Sequence, residues 1–142
     1  MPMPPHVPTA PFTLADLLAH QDFRLRLLSA PESGPLRKVA GVHAIEIAKP
    51  SPWLPSHWIM LTTGIRLRGR PDAQRALVRE LADGGMAALG YSVGVCTKKV
   101  PAALVEEGER RDFPVFSIPF EVPLRSVVTF VQRVVLAEDR GC

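Results

Sequence analysis

"WIMLTTGIRLRGRPDAQRALVRELADGGMAALGYSVGV", residues 58–95, decides how the chain reads. Trp58 to Thr62 form a short apolar run bounded by turn residues, the pattern of a buried strand. Pro71 then opens a helical stretch with Leu77 and Leu81 on its inward face, and Gly84-Gly85 closes it. Proline in the first turn and glycine past the last one is the asymmetry of a helix. "MAALGYSVGV" is a second apolar strand that dissolves at Gly90 and Gly94. Strand, helix and strand of these lengths make a β-α-β unit, in which the strands run parallel and the crossover is right-handed.

The same rhythm continues downstream. "VPAALVEEGERRD" predicts another helix with proline at its start, "FPVFSIPF" a strand, and "PLRSVVTFVQRVVLAEDRG" a long final helix. The last carries Leu124, Val127, Val128, Val131, Val134 and Val135 along one stripe. Upstream the pattern is mixed. "TLADLLAH" starts with Thr13 and Asp16 spaced as a capping box, which predicts a short helix. "FRLRLLS" alternates Phe23, Leu25 and Leu27 against Arg24 and Arg26, as a half-buried strand does. "VAGVHAIEI", residues 39–47, is β-branched-rich and predicts a further strand, which "AKPSPWLP" interrupts with three prolines. The expected fold is α/β: a single domain with a mostly parallel sheet of β-α-β units in its C-terminal two-thirds, a mixed N-terminal part and a long C-terminal helix.

Composition bounds the function. The chain has 142 residues, suited to one core, and 22% charged residues, too few for disorder. Residues 1–11 hold five prolines without periodicity and read as a disordered leader before a domain at 12–138. That leader lacks the basic and apolar regions of a signal peptide, and no run is long enough to cross a bilayer, so a cytoplasmic location is expected. Cys96 and Cys142 lie too far apart in sequence to suggest a disulfide framework or a metal knuckle. The four histidines, His6, His20, His43 and His57, do not fall at metal-ligand spacing. A net charge of +3 is spread along the chain, which argues against direct nucleic-acid binding, and pairs such as Arg37-Lys38 and Lys98-Lys99 read as solvated surface.

Phosphate-loop, dinucleotide and nucleophile-elbow patterns are all missing, so neither catalytic nor cofactor-binding residues are assigned. His43 and Glu46 stand three apart on the expected strand and face opposite sides of it. Ligands of parallel sheets bind outside the carboxyl ends of the strands, where Thr62-Thr63-Gly64, Gly90 to Gly94 and Pro119 to Glu121 are expected to emerge. The hydroxyls of Thr62 and Thr63 could hold a ligand while Gly64 lets its backbone come close, or the three could simply end a strand. Arg66, Arg68 and Arg70 alternate, which gathers them on one side if the segment is extended and scatters them in water if it is a loop. Glu46 needs a partner, a cleft or a solvent-facing position. Trp53 reads as a core or covering residue, or as a stacking platform for a flat ligand.

"TLADLL", "GVHAIEIAKPSPWLPSHWIMLTTG", "ADGGMAALGYSVG" and "VPAALVEEGERRDFPVFSIPFEVPL", in this order, resemble the N-terminal domain of the purine catabolism regulator (PucR-like) family of bacterial transcription factors. The likeness covers residues 12 to about 135. It implies a regulatory, non-enzymatic domain whose family normally carries its DNA-binding helix-turn-helix elsewhere; nothing of that kind is legible here. It also implies that Glu46, Trp53 and Thr62-Thr63-Gly64 are candidate ligand-binding residues, to which Arg66 is added as the nearest cation. The chain departs from the family in carrying Lys49 and the bulky Ser56-His57-Trp58. The expectation is an effector-sensing domain that binds a small metabolite at the strand ends and signals through its C-terminal helix, by which it also forms a homodimer. The alternative is a protein-interaction or dimerisation module without a small-molecule ligand.

Overall fold

A computed structural model of the chain describes residues 11–140. All but the last residue of the expected leader therefore lie outside the described residues. In chain order the elements are α1 (Leu14–Leu18), β1 (Arg26–Leu27), β2 (Gly41–Ala44), β3 (Trp58–Thr62), α2 (Pro71–Asp83), β4 (Ala88–Ser92), α3 (Ala102–Arg110), β5 (Val115–Ile118) and α4 (Leu124–Arg140). Short 3-10 turns at Gln21–Phe23, Gly34–Leu36 and Ser51–Trp53 join them. The sheet has the order β1-β5-β4-β3-β2, with β2 to β5 parallel and β1 antiparallel to β5 at the edge. This is the α/β architecture with a mostly parallel sheet and a long final helix.

The strand pleat sorts side chains into two cores. Ile59, Leu61, Phe116 and Ile118 face α1 and α4, where they meet Leu14, Leu17, Val127 and Val131. Met60, Leu89, Tyr91 and Val115 face α2 and α3, where they meet Leu77, Val78, Leu81 and Leu104. The strands between the two layers are buried on both faces, which is why β3 reads as a continuous apolar run rather than an alternating one. Gly90 makes this possible at the centre of the sheet: a Cβ there would stand 2.6 Å from Leu61 Cδ2 and 2.7 Å from Phe116 Cζ.

The helix starts read from sequence are present, Pro101 immediately before α3 among them. Thr13 and Asp16 cap α1 reciprocally, with Asp16 Oδ2 accepting the Thr13 N–H at 2.9 Å. Pro71 opens α2, and Gly85 beyond its end adopts φ +73. The N-terminal strands are shorter than expected. The run from Phe23 alternates in sequence, but Arg24 sits at φ 49 after a 3-10 turn, so only Arg26–Leu27 pair with β5. The strand expected over 39–47 is confined to Gly41–Ala44, because the chain then bends across the end of β3.

Of the two readings open for Arg66, Arg68 and Arg70, the loop is the one found: residues 65–69 form turns, with Leu67 buried between exposed arginines. One further expectation is corrected. Arg37 is not solvated surface. Its Nη2 donates to the Met86 carbonyl at 2.6 Å, its guanidinium lies 5.3 Å from the Phe113 ring centroid, and burial lowers its pKa. Ser29, which no sequence pattern marked, is fully buried; its Oγ donates to the Phe113 carbonyl and accepts the Val115 N–H, each at 2.7 Å. It satisfies backbone groups where α3 hands over to β5, as buried polar groups require.

The stripe of α4 turns inward. Val127 and Val131 are fully buried, while Leu124, Val128, Val134 and Val135 pack on the same core. The helix lies over β2, the strand that leads into Glu46. Among the described residues, no helix is long and apolar enough to cross a membrane.

Candidate functional site

Glu46 organises the carboxyl end of β2 and β3. The Ile45 N–H still reaches the Leu61 carbonyl at 3.1 Å, and the next residue then swings its side chain over Thr62 and Thr63. Thr62 Oγ1 donates to Glu46 Oε1 at 2.5 Å. The Thr63 N–H and Oγ1 both donate to Oε2 at 2.7 Å. Thr62 Oγ1 in turn accepts the Gly64 N–H at 3.0 Å. A half-buried carboxylate thus faces three donors, and charge-assisted bonds of this kind are the strong ones. That is how the chain tolerates an acid between Ile45 and Ile47.

Arg66 joins this group through the backbone. Its Nε donates to the Glu46 carbonyl oxygen at 2.7 Å, so one residue receives bonds at both its carboxylate and its main chain. Arg68 and Arg70 remain exposed. Below the turn, Gln74 is buried and its Nε2 donates to the Leu67 carbonyl at 2.7 Å, fastening the loop to the first turn of α2.

Gly64 has φ +84 and lies against Tyr91, where a Cβ would overlap the phenol ring. Tyr91 is opposite Thr62 in the register of β3 and β4 and is fully buried. Its hydroxyl lies 2.7 Å from Thr97 Oγ1, where either oxygen can donate, and Thr97 Oγ1 is also 2.7 Å from the Lys99 carbonyl. Neither Tyr91 nor Thr97 was singled out from sequence. The register, which places Tyr91 beside the threonine turn, was the missing signal.

Burial first, and then nearby Cys96 and Glu46, raise the Tyr91 pKa above its ordinary 10.0; the bond to Thr97 and the charge of Arg68 oppose the rise. A raised phenol pKa means that the folded state keeps its proton longer than the unfolded chain does. Stability from Tyr91 is therefore present below pH 10.0 and is lost as pH rises past it. Tyr91 is the chain's one tyrosine, so alkaline difference absorbance reports it directly. The folded protein should titrate above the unfolded chain, and Tyr91→Phe should flatten the alkaline loss of stability in urea melts.

Trp53 stands apart from this arrangement. It ends the Ser51–Trp53 turn and is 65% exposed. The neighbouring Ser51 N–H donates to Glu80 Oε2 at 2.9 Å, near the far end of α2. Glu80 is nine residues beyond Pro71, about 14 Å along the helix axis from the Thr turn's side of the sheet. The structure thus brings together Glu46, Thr62, Thr63, Gly64 and Arg66, and leaves Trp53 on another part of the surface.

A β-α-β sheet with a carboxylate-threonine clasp after its second strand can be compared with known families. The model of the purine catabolism regulatory protein-like family matches residues 16–135. The chain belongs to that family. Relatives with names include "Transcriptional activator PmfR" of Paenarthrobacter nicotinovorans, 26% identical over 115 residues. The match covers 81% of this chain and 24% of that protein. "Purine catabolism regulatory protein" of Bacillus subtilis (strain 168) is 24% identical over 115 residues, covering 81% of this chain and 22% of its own length. The chain thus spans about a quarter of the length of these curated relatives. Both the Glu46 clasp and the α4 stripe fall within the matched family span.

Proposed function

We propose that this PucR-like domain is the effector-sensing part of a cytoplasmic transcriptional regulator, acting without catalysis. The observation that carries the reading is the Glu46 clasp, built at the end of a strand over which α4 lies. An effector with N–H donors competes for the Glu46 oxygens, and one with carbonyl acceptors takes up the threonine hydroxyls. Either exchange moves the end of β2, and Val42 of that strand packs in the same core as Val127 and Val131 of α4. The helix is then the element that carries the change onward, and its exposed Leu136 is a candidate contact for a homodimer. The name of the Bacillus subtilis relative, "Purine catabolism regulatory protein", favours nitrogen-rich metabolites carrying both kinds of group.

A second reading, an interaction module, is favoured by a different observation. Exposed Ile65, Val95 and Phe120 sit on the loops that follow β3, β4 and β5, at one end of the sheet. Arg66, Arg68, Lys98 and Lys99 are exposed beside them, so the matching partner surface is apolar and acidic.

A thermal-shift screen against purines, urate, allantoin and related compounds separates the two. At a hundred times its dissociation constant, an effector should add about 2.7 kcal/mol and raise the melting temperature by several degrees. Glu46→Gln should remove that shift while leaving the chain folded. If no compound shifts the protein, the effector reading fails. Saturable binding of an acidic, leucine-bearing peptide, lost on Phe120→Ser, would then establish the interaction module.

A further inference from the structure

A second site lies away from the Glu46 clasp, between the Gln21–Phe23 turn and residues 125–133 of α4. It is a pocket of ≈ 360 Å³, within the range that holds a small molecule. One wall is a helical row: Arg125, Thr129 and Arg133 are spaced four and eight residues apart on α4, so they share a face and span about 12 Å. Ser126 adds a second hydroxyl beside the row. Apart from Asp22, the rest of the lining is aromatic. His20 stacks on Phe23 at 4.0 Å between centroids, and Phe130 meets His20 edge-on at 4.5 Å and Phe23 at 5.7 Å.

The polar groups here are unspent. Neither Arg125 nor Arg133 has a hydrogen bond or ion pair among the described residues, a lack they share with exposed arginines such as Arg68 and Arg79. His20 Nδ1 is buried and also lacks a partner among them. Asp22 is the sole carboxylate of the lining, so cations outnumber anions. What distinguishes Arg125 and Arg133 from the other exposed arginines is their place: they bracket a pair of hydroxyls beside an aromatic lining.

We propose that this pocket binds a small carboxylate with a flat, apolar body. The guanidinium groups of Arg125 and Arg133, helped by Ser126 and Thr129, receive the carboxylate, since arginine matches its two oxygens bidentately. The flat body lies against Phe130 and His20, where ring contacts favour offset or edge-on geometry. A ligand seated there joins the N-terminal turn to α4, the helix that the effector reading makes the transmitter. The site shares no residue with the Glu46 clasp and stands or falls independently of it.

The test is a titration of the ¹⁵N-labelled chain with benzoate, and with acetate as the anion lacking a ring. Benzoate is expected to give saturable shifts confined to the segments 20–23 and 125–133, at least tenfold tighter than acetate. Arg125→Ala with Arg133→Ala should weaken benzoate at least tenfold with the rest of the spectrum unchanged, because both side chains are exposed. Glu46→Gln should leave benzoate binding as it was. Absence of saturable shifts in those segments, equal affinity for acetate, or binding indifferent to both arginines would each overturn the proposal.

Discussion

Gly64→Ala is expected to lower the stability of the domain by about 3–4 kcal/mol and its melting temperature by roughly 10 °C. Two costs add. At φ +84 an L-residue sits in left-handed backbone, at about 1–2 kcal/mol. The new methyl also overlaps Tyr91, and overpacking a filled site costs about 1–3 kcal/mol. The ring has no free direction of retreat, because it is fully buried and its hydroxyl is held by Thr97. Gly69 supplies the control. It has φ +72 and nothing within 4 Å of a Cβ, so Gly69→Ala should show the backbone cost alone. Urea melts of the two variants measure the difference, and equal losses would show that the Tyr91 contact is unimportant.

Removing the Glu46 side chain should have the next largest effect. Glu46→Ala deletes three charge-assisted bonds and leaves the Thr63 N–H and two hydroxyls short of an acceptor. Bonds to a charged group contribute about 1.5–3 kcal/mol each when buried, but this carboxylate is half-buried and water can replace part of the loss. About 2–3 kcal/mol is the expected net cost. Glu46→Gln keeps an oxygen for Thr63 and turns an amide toward the Thr62 hydroxyl, which can accept, so about 1 kcal/mol is expected. Melting curves should rank the variants wild type, Gln, Ala. An alanine variant as stable as the wild type would mean that the clasp leaves β2 and β3 no better joined than their backbone pairing does.

These two residues also mark where the sequence was readable. The TTG turn and the lone glutamate were visible as oddities within apolar runs, because a carboxylate and two hydroxyls at strand ends call for partners. That they were each other's partners was not visible, since 16 residues separate Glu46 from Thr62 and only the parallel register of β2 with β3 closes the gap. Trp53 shows the opposite case. It lies between Glu46 and Thr62 in sequence, yet the return loop carries it toward the far end of α2.

Local pattern alone determined the helices and β3, β4 and β5. Their apolar spacing, the Thr13 cap and the Pro71 start are set by neighbours within a few residues. It also determined the α/β class, since strands that alternate with helices of this length leave few other ways to bury both. Only the tertiary structure decided the rest. The N-terminal strands end where the sheet stops pairing with them, Arg37 is drawn inward by the Met86 carbonyl and the Phe113 ring, and the α4 valines cover β2. Each depends on partners far away in the chain, and a side chain's own preference is weak beside the burial and hydrogen bonds that such partners supply.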